Sequence, residues 1–181
     1  EQTSGRLDWV RLIELAENHG AIAPLLAHLS DDKNTPVDVI RELQSRHQAG
    51  TMRALWLTHE LERVIDCLAD NAINAMPYKG PILSELLYGT VAWRQFTDND
   101  ILIHAEDVPR AAKALTEIGY RQAYELNRAQ QRRYLRSGYE LPFHAEHARN
   151  VLEIQWQILP RFYAVPFDVE KLFERAIQIP L

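Results

Sequence analysis

The spacing of apolar residues changes near residue 73, and this change constrains the fold more than any other feature of the sequence. Before it, apolar side chains recur with helical spacing. After it, short apolar runs typical of strands alternate with helical segments. We therefore predict an α+β protein, with a helical N-terminal region over residues 1–72 and a core of a small mixed sheet flanked by helices over residues 73–181. The extended apolar residues 177–181 favour a core that continues beyond this sequence.

Glycine, proline and capping residues divide these regions into elements. In the N-terminal region the helical pattern is interrupted at Gly20 and Pro24, and two further helices are predicted over residues 37–48 and 52–72. The predicted elements of the core, in order, are strand 73–78, helix 81–88, strand 96–104, helix 108–118, strand 120–124, helix 127–136, strands 138–144 and 150–159 as an antiparallel hairpin, and helix 168–177.

Composition excludes several classes of protein. The 181 residues are 46% apolar and carry a formal charge of −5, which argues against a general nucleic-acid coat but allows a local basic patch. Cys67 is the only cysteine, so no internal disulfide and no cysteine-based zinc site is possible, and a cytoplasmic location is expected. No apolar run is long enough to cross a bilayer, so no membrane partner is expected. His144 and His147, in the predicted hairpin loop, are interpreted as solvent-exposed rather than as metal ligands.

Two carboxylates, Asp98 and Asp100, stand immediately before the apolar run Ile101-Leu102-Ile103. Side chains at i and i+2 of a strand point the same way, so these two are expected to lie close together. Adjacent like charges are costly unless a cation neutralises them or one takes up a proton. Hard divalent cations such as Mg²⁺ accept such a pair, usually together with substrate phosphates. The alternative is a pair of solvated carboxylates at a strand edge.

Two other segments carry candidate residues. Lys79-Gly80-Pro81 is a turn between a strand and a helix, where backbone amides and the helix N-terminus can receive a phosphate. In residues 151–158, Leu152 and alternate apolar residues occupy one strand face, while Glu153 and Gln155 occupy the other. Each segment taken alone is more often structural. Glu153 would be the third carboxylate that a site for two metal ions requires.

The order and spacing of these segments resemble a known family. The segments Tyr78–Leu83, Leu87–Gly89, Arg94–Ile103 and Val151–Trp156 are similar to those of the bacterial uncharacterised nucleotidyltransferase family, in the polymerase-β-like nucleotidyltransferase superfamily. The resemblance covers about residues 75–176, and the helical N-terminal region fits the usual lead-in of the family. It implies a polymerase-β-like core and the transfer of an NMP from an NTP to an acceptor hydroxyl.

The resemblance also implies roles for particular residues. Asp98 and Asp100 would bind two Mg²⁺ ions together with the NTP, and Glu153 would complete the carboxylate triad and assist deprotonation of the acceptor. Metal ions that bridge the attacking and leaving oxygens are suited to an in-line displacement.

The same resemblance assigns the triphosphate to residues outside the triad. Gly80 would approach the phosphates, with Lys79 and Arg94 as charge partners.

Two departures from the family pattern leave an alternative open. The wider superfamily often has Gly-Ser where this chain has Lys79-Gly80, and the narrower family usually has His where this chain has Gln155, which cannot act as an acid or a base. The alternative is a catalytically degenerate module that binds a nucleotide or a partner, in a toxin–antitoxin-like or regulatory setting. A structural domain of a larger biosynthetic protein is a third interpretation.

The acceptor has no signature in the sequence. A small molecule, a protein or RNA is compatible with the pattern; the acidic net charge favours the first two, and DNA is not expected. Arginines at 128, 132 and 136, with Arg133 beside them, form a basic stripe on the predicted helix 127–136. This stripe is interpreted as a solvated face, with a nucleic-acid backbone or a triphosphate as the alternative ligand.

Overall fold

The computed structural model describes residues 7–146, 148–165 and 167–180, and for residues 148–150 it describes only the backbone. His147 therefore lies outside the described residues, whereas His144 lies in a strand of the hairpin, half-buried rather than solvent-exposed. The prediction of an α+β protein is confirmed: the described residues form helices and one five-stranded mixed sheet.

The helices and strands follow one another largely in the predicted order. The helices are α1 (Trp9–Asn18), α2 (Ile22–Leu29), α3 (Val37–Asp70), α4 (Gly80–Tyr88), α5 (Val108–Glu117), α6 (Arg128–Ser137) and α7 (Val169–Phe173). The strands are β1 (Ala75–Pro77), β2 (Asn99–Ile103), β3 (Arg121–Gln122), β4 (Glu140–Ala145) and β5 (Ala148–Gln155). None of the described helices is both long and apolar enough to span a bilayer.

The sheet has the strand order β1-β2-β5-β4-β3. Its central pair, β2 and β5, is parallel, and the other three pairs are antiparallel, including the predicted hairpin of β4 and β5. All five residues of β2 are buried. The parallel pair brings the polar residues of both strands to the same part of the sheet.

The prediction of two helices over residues 37–48 and 52–72 is wrong, because α3 runs without a break from Val37 to Asp70. Gly50 lies inside it. A glycine costs a helix about 1 kcal/mol relative to alanine, which a 34-residue helix packed against other elements can absorb. A Cβ at Gly50 would lie 3.5 Å from Nε2 of Gln95, an ordinary contact distance, so the surroundings do not require a glycine here.

The long helix α3 takes part in both apolar clusters of the protein. Its first half packs with α1 and α2 around Leu43. Its second half contributes Leu57, Leu61, Val64 and Leu68 to the main core, which also contains the apolar residues of β2, β5 and α5. The division of the chain at residue 72 stays a prediction.

Three predicted boundaries are wrong for reasons that lie outside local sequence. The strand expected to begin at Phe96 begins at Asn99, because the preceding residues contact the N-terminal helices instead of a strand. The strand expected to reach residue 159 ends at Gln155. The backbone amides of the next two residues both donate hydrogen bonds to the carbonyl of Tyr139, which interrupts the ladder. The last helix ends at Phe173, and none of its residues is buried, so packing does not extend it.

Candidate active site

The parallel pairing of β2 and β5 places two of the predicted carboxylates side by side. In the register of this pair, Asp100 lies opposite Glu153. Asp98 precedes the first residue of β2 and is half-buried, while Asp100 is only 5% exposed. Residues far apart in the chain therefore form one cluster of carboxylates at the centre of the sheet.

Asp100 already has two partners in this cluster. Its Oδ1 atom accepts a hydrogen bond from Lys79 Nζ at 2.7 Å and another from Gln155 Nε2 at 2.9 Å. Lys79 is the residue before α4, so the start of that helix fixes its backbone. The Lys79 ammonium is the positive charge that balances Asp100 in this structure.

Gln155 connects two of the carboxylates, which the sequence did not reveal. Its Nε2 donates to Asp100 at 2.9 Å and to Glu153 Oε2 at 3.0 Å, and its Oε1 accepts a hydrogen bond from the Tyr78 hydroxyl. Gln155 was expected on a solvated strand face but is 2% exposed. Its position two residues after Glu153, on the same face of β5, was the available signal.

Crowding of acidic groups alters the protonation of two carboxyls. Burial, then the nearby Glu140 carboxylate, raises the pKa of Glu153 to about 7, with Asp100 and Asp98 contributing further. Burial and the charge of Asp100 raise the pKa of Asp98 above its usual range. Both pKa shifts indicate an excess of negative charge at a partly buried site. A bound cation would neutralise this charge.

These carboxylates line a cavity of about 580 Å³ between the sheet and the N-terminal helices. All six residues singled out in the sequence lie on its wall: Lys79, Gly80, Arg94, Asp98, Asp100 and Glu153. The helical region supplies part of the same wall, which the sequence did not predict: Glu17, Asn18, Gly20, Gly50 and Arg53.

Gly80 makes a close approach that requires glycine. Its φ is +54°, a region in which side chains are strained, and a Cβ there would lie 3.1 Å from the carbonyl oxygen of Asp98. The α4 N-terminus thus packs directly against the segment that carries Asp98. Pro81 occupies the first turn, where its missing N–H is no loss.

Arg94 is half-buried on the cavity wall, and its Nη1 atom is buried without a hydrogen-bond partner in the described part of the chain. A buried cationic donor without a partner is costly. An anion in the cavity would satisfy it, and a phosphate oxygen is a good geometric match for a guanidinium group.

The helical region holds the segment before β2 through direct contacts. Arg53 of α3 donates from Nη2 to the Thr97 carbonyl at 2.9 Å, and its guanidinium lies 5.0 Å from the centre of the Trp56 ring. Asn99 donates from Nδ2 to the Leu57 carbonyl at 2.9 Å. Asp98 lies between these two anchored residues. No sequence signal identifies Arg53, because its contact depends on packing across 44 positions.

Asp98, Asp100 and Glu153 offer several carboxylate oxygens, the ligands that a hard divalent cation prefers. Their negative charge exceeds the positive charge beside them. As the side chains stand, however, no three His, Cys, Asp or Glu residues in the described ranges are grouped closely enough to hold a metal ion. The Lys79 ammonium and the Gln155 amide occupy Asp100 Oδ1. A bound metal ion would therefore take the other oxygen of Asp100, Oδ2, or replace the Lys79 contact at Oδ1.

Comparison with known proteins gives one match. No curated protein and no solved structure matches the chain significantly. The family described as "Uncharacterised nucleotidyltransferase" matches residues 5–181, nearly the whole sequence. The chain therefore belongs to this family and is, by class, a nucleotidyltransferase.

Proposed function

We propose that the protein is an Mg²⁺-dependent enzyme that transfers an NMP from an NTP to an acceptor hydroxyl. The observation that carries this proposal is the pairing of Asp100 with Glu153 across two parallel strands, with Asp98 beside them on the wall of one cavity. Asp98, Asp100 and Glu153 would hold two metal ions. Bound there, the ions would neutralise phosphate oxygens and the developing charge of an in-line displacement.

In the proposed reaction, the acceptor oxygen attacks the α-phosphorus of the NTP. The bond from that phosphorus to the α,β-bridging oxygen breaks, and pyrophosphate leaves with the electron pair. Glu153 accepts the proton of the acceptor hydroxyl.

Three residues would bind the triphosphate. Gly80 offers a close approach at the N-terminus of α4, where unpaired amides favour anions. Arg94 has a buried guanidinium nitrogen in need of an acceptor. Lys79, once displaced from Asp100 by metal, would be free to contact a phosphate.

The glutamine at position 155 is compatible with activity. It donates to Asp100 and Glu153 together, so it can fix their separation without exchanging a proton. Its role would be positioning, for which neither acid nor base chemistry is needed.

A second candidate, a nucleotide-binding module without turnover, has one observation in its favour. Asp100 is neutralised by Lys79 at 2.7 Å, an arrangement that would also suit a site that has lost its metal. Binding measurements alone do not separate the two candidates, so a turnover measurement is also needed.

Calorimetry tests the site. ATP, GTP, CTP and UTP are titrated with Mg²⁺ into the wild type and into the double variant Asp98→Ala and Asp100→Ala. At least one NTP is expected to bind the wild type and to lose at least about tenfold in affinity in the variant, because a metal-holding pair is gone. The control removes two exposed carboxylates of α3, Asp66→Ala and Asp70→Ala, and should bind like the wild type. Equal binding by all three proteins would reject the proposal.

Release of pyrophosphate from labelled NTP tests turnover. Turnover that is lost in Glu153→Gln supports the enzyme and excludes the binding module. Metal-dependent binding without turnover, across small-molecule, protein and RNA acceptors, supports the module instead.

A further inference from the structure

The helix α6 is the most basic element of the described structure. It contains Arg128, Arg132, Arg133 and Arg136 and no acidic residue. All four arginines are exposed, and in the described part of the chain none of their guanidinium groups lies within ion-pair distance of a carboxylate. On a chain with a net charge of −5, these four positive charges are segregated on one element. We call them the α6 basic face.

Packing turns this face away from the core. Tyr134 and Leu135 pack against the main core, and the Tyr134 ring meets Trp156 edge-on at 5.9 Å. At 100° per residue, the four arginines lie within an arc of about 140° on the remaining side of the helix. A capping box at Asn127 fixes the start of the helix, so the face is held rigidly.

The helix that carries the α6 basic face is joined by a short loop to β4, the strand that pairs with β5. The chain leaves α6 at Ser137 and enters β4 at Glu140, which lies opposite Gln155. Gln155 in turn contacts Glu153. Only three residues lie between Arg136 and Glu140, so their Cα atoms are at most about 14 Å apart. The end of α6 at Arg136 is therefore a short distance from the strand that pairs with β5.

An exposed aromatic side chain contacts α6 itself. Tyr124 is 49% exposed, and its ring lies 6.3 Å from that of Tyr134, the residue after Arg133. Exposed aromatic rings beside basic groups are the usual platform for unstacked bases. Guanidinium groups bind phosphates through paired N–H donors, and all four cations here are arginines.

We propose that the α6 basic face binds single-stranded RNA, with phosphates on the arginines and a base on Tyr124, and that this RNA presents its terminal hydroxyl to the cavity as the acceptor. The binding surface stands on the arginines alone, while the role of the RNA as acceptor rests on the proposed function. An acidic protein segment is the competing ligand. It lacks the bases that Tyr124 would stack against, so the two are separable by experiment.

Fluorescence anisotropy with a short, 5′-labelled single-stranded RNA tests the surface directly, in EDTA and without NTP. The wild type is compared with the triple variant Arg132→Gln, Arg133→Gln and Arg136→Gln. The matched control, Lys33→Gln, Arg41→Gln and Lys113→Gln, removes the same charge from exposed positions elsewhere. Loss of three phosphate contacts should lower affinity at least about tenfold and reduce the slope of log K against log salt by roughly 2. The control should keep the wild-type affinity and slope.

A second variant separates stacking from charge. Tyr124→Ser should lower RNA affinity roughly tenfold while leaving the salt slope unchanged, because stacking releases no counterions. Thermal unfolding of each variant establishes that it is folded.

Three outcomes overturn the inference: no RNA binding by the wild type, equal loss in the basic-face and control variants, or competition by polyglutamate as effective as by unlabelled RNA. The last result would assign the surface to an acidic protein. The calorimetry of NTP and Mg²⁺ is independent of these measurements. If the protein binds NTP with Mg²⁺ but not RNA, only the RNA-binding surface is rejected. If it binds RNA but not NTP with Mg²⁺, the proposed function is rejected and the RNA-binding surface is supported.

Discussion

The Tyr78 hydroxyl donates a hydrogen bond to the side-chain oxygen of Gln155, which fixes the direction of a buried amide. Both hydrogens of that amide are then left for carboxylates, one for Asp100 and one for Glu153. The residue that stands where the family usually has histidine is thus the centre of a small network. Three side chains depend on it: Asp100 of β2, Glu153 of β5 and Tyr78, which follows β1.

Replacing Gln155 by leucine should destabilise the protein by about 1–3 kcal/mol in EDTA, because the buried Asp100, the half-buried Glu153 and the Tyr78 hydroxyl lose a partner. Tyr78→Phe should cost about 0.5–1.5 kcal/mol. The double variant should be no less stable than Gln155→Leu alone, since the two side chains share one interaction. Urea denaturation measures all three. Gln157→Leu, two positions further along, is the control and should stay within about 0.5 kcal/mol of wild type. If the losses of Tyr78→Phe and Gln155→Leu add up in the double variant, the hydrogen bond between the two side chains is not formed.

Gly80→Ala should weaken binding of Mg²⁺ and ATP, or of whichever NTP binds the wild type best, because the new Cβ would press on the Asp98 carbonyl at 3.1 Å. Gly89→Ala is a matched control, since Gly89 has a similar φ of +66° but no atom within 4 Å of its Cβ position. Both variants should lose about 1–2 kcal/mol of stability from backbone strain. Only Gly80→Ala should lose nucleotide affinity in calorimetry. Equal affinities in the two variants would contradict the close packing of α4 against Asp98.

Arg53→Gln should lower the affinity for NTP and Mg²⁺ roughly fivefold, the equivalent of one lost hydrogen bond of about 1 kcal/mol. The reason is that Arg53 holds the Thr97 carbonyl at 2.9 Å, next to Asp98. Because Arg53 is exposed, the same loss should lower stability by no more than about 1 kcal/mol. Calorimetry and urea denaturation give the two numbers. Arg41→Gln removes the same charge from an exposed position of the same helix, and a similar fall in affinity there would point to bulk charge rather than to this contact.

Tyr120→Phe should destabilise the protein by about 1–3 kcal/mol, because the buried Tyr120 hydroxyl donates to Glu60 Oε2 at 2.5 Å. Glu60 also accepts from Arg63 at 2.7 Å, so the network links α3 to the segment before β3. Urea denaturation at neutral pH measures the loss. Tyr88→Phe, at an exposed position, should have little effect.

The same phenol predicts a pH dependence. Burial, reinforced by Glu60, raises the pKa of Tyr120 above its usual value. The unfolded chain therefore releases this proton first, near pH 10, and the stability contributed by the neutral phenol is present below that pH and lost above it. The free energy of unfolding should fall more steeply between pH 9 and pH 11 in the wild type than in Tyr120→Phe. The difference between the two slopes should correspond to about one proton released on unfolding. Parallel curves would contradict the buried hydrogen bond.

The sequence predicted the fold class and most elements well where the signal was local. Pro81 after Gly80, the polar helix predicted from Asn127 and the alternation in β5 each depend on neighbours within a few positions. Gly50 was misleading because a glycine locally disfavours a helix, while α3 as a whole is stabilised by its packing in two apolar clusters.

For the candidate site, the sequence alone determined which residue types were available: Asp98, Asp100 and Glu153 as carboxylates, with Lys79-Gly80 before a helix. Only the tertiary structure decided that Asp100 lies opposite Glu153, that Gln155 is buried between them, and that Arg53 of the N-terminal region reaches Thr97. Strand register and helix packing are set by the burial of apolar surface over the whole chain. For that reason, contacts between residues tens of positions apart follow from the assembled core and cannot be derived from spacing.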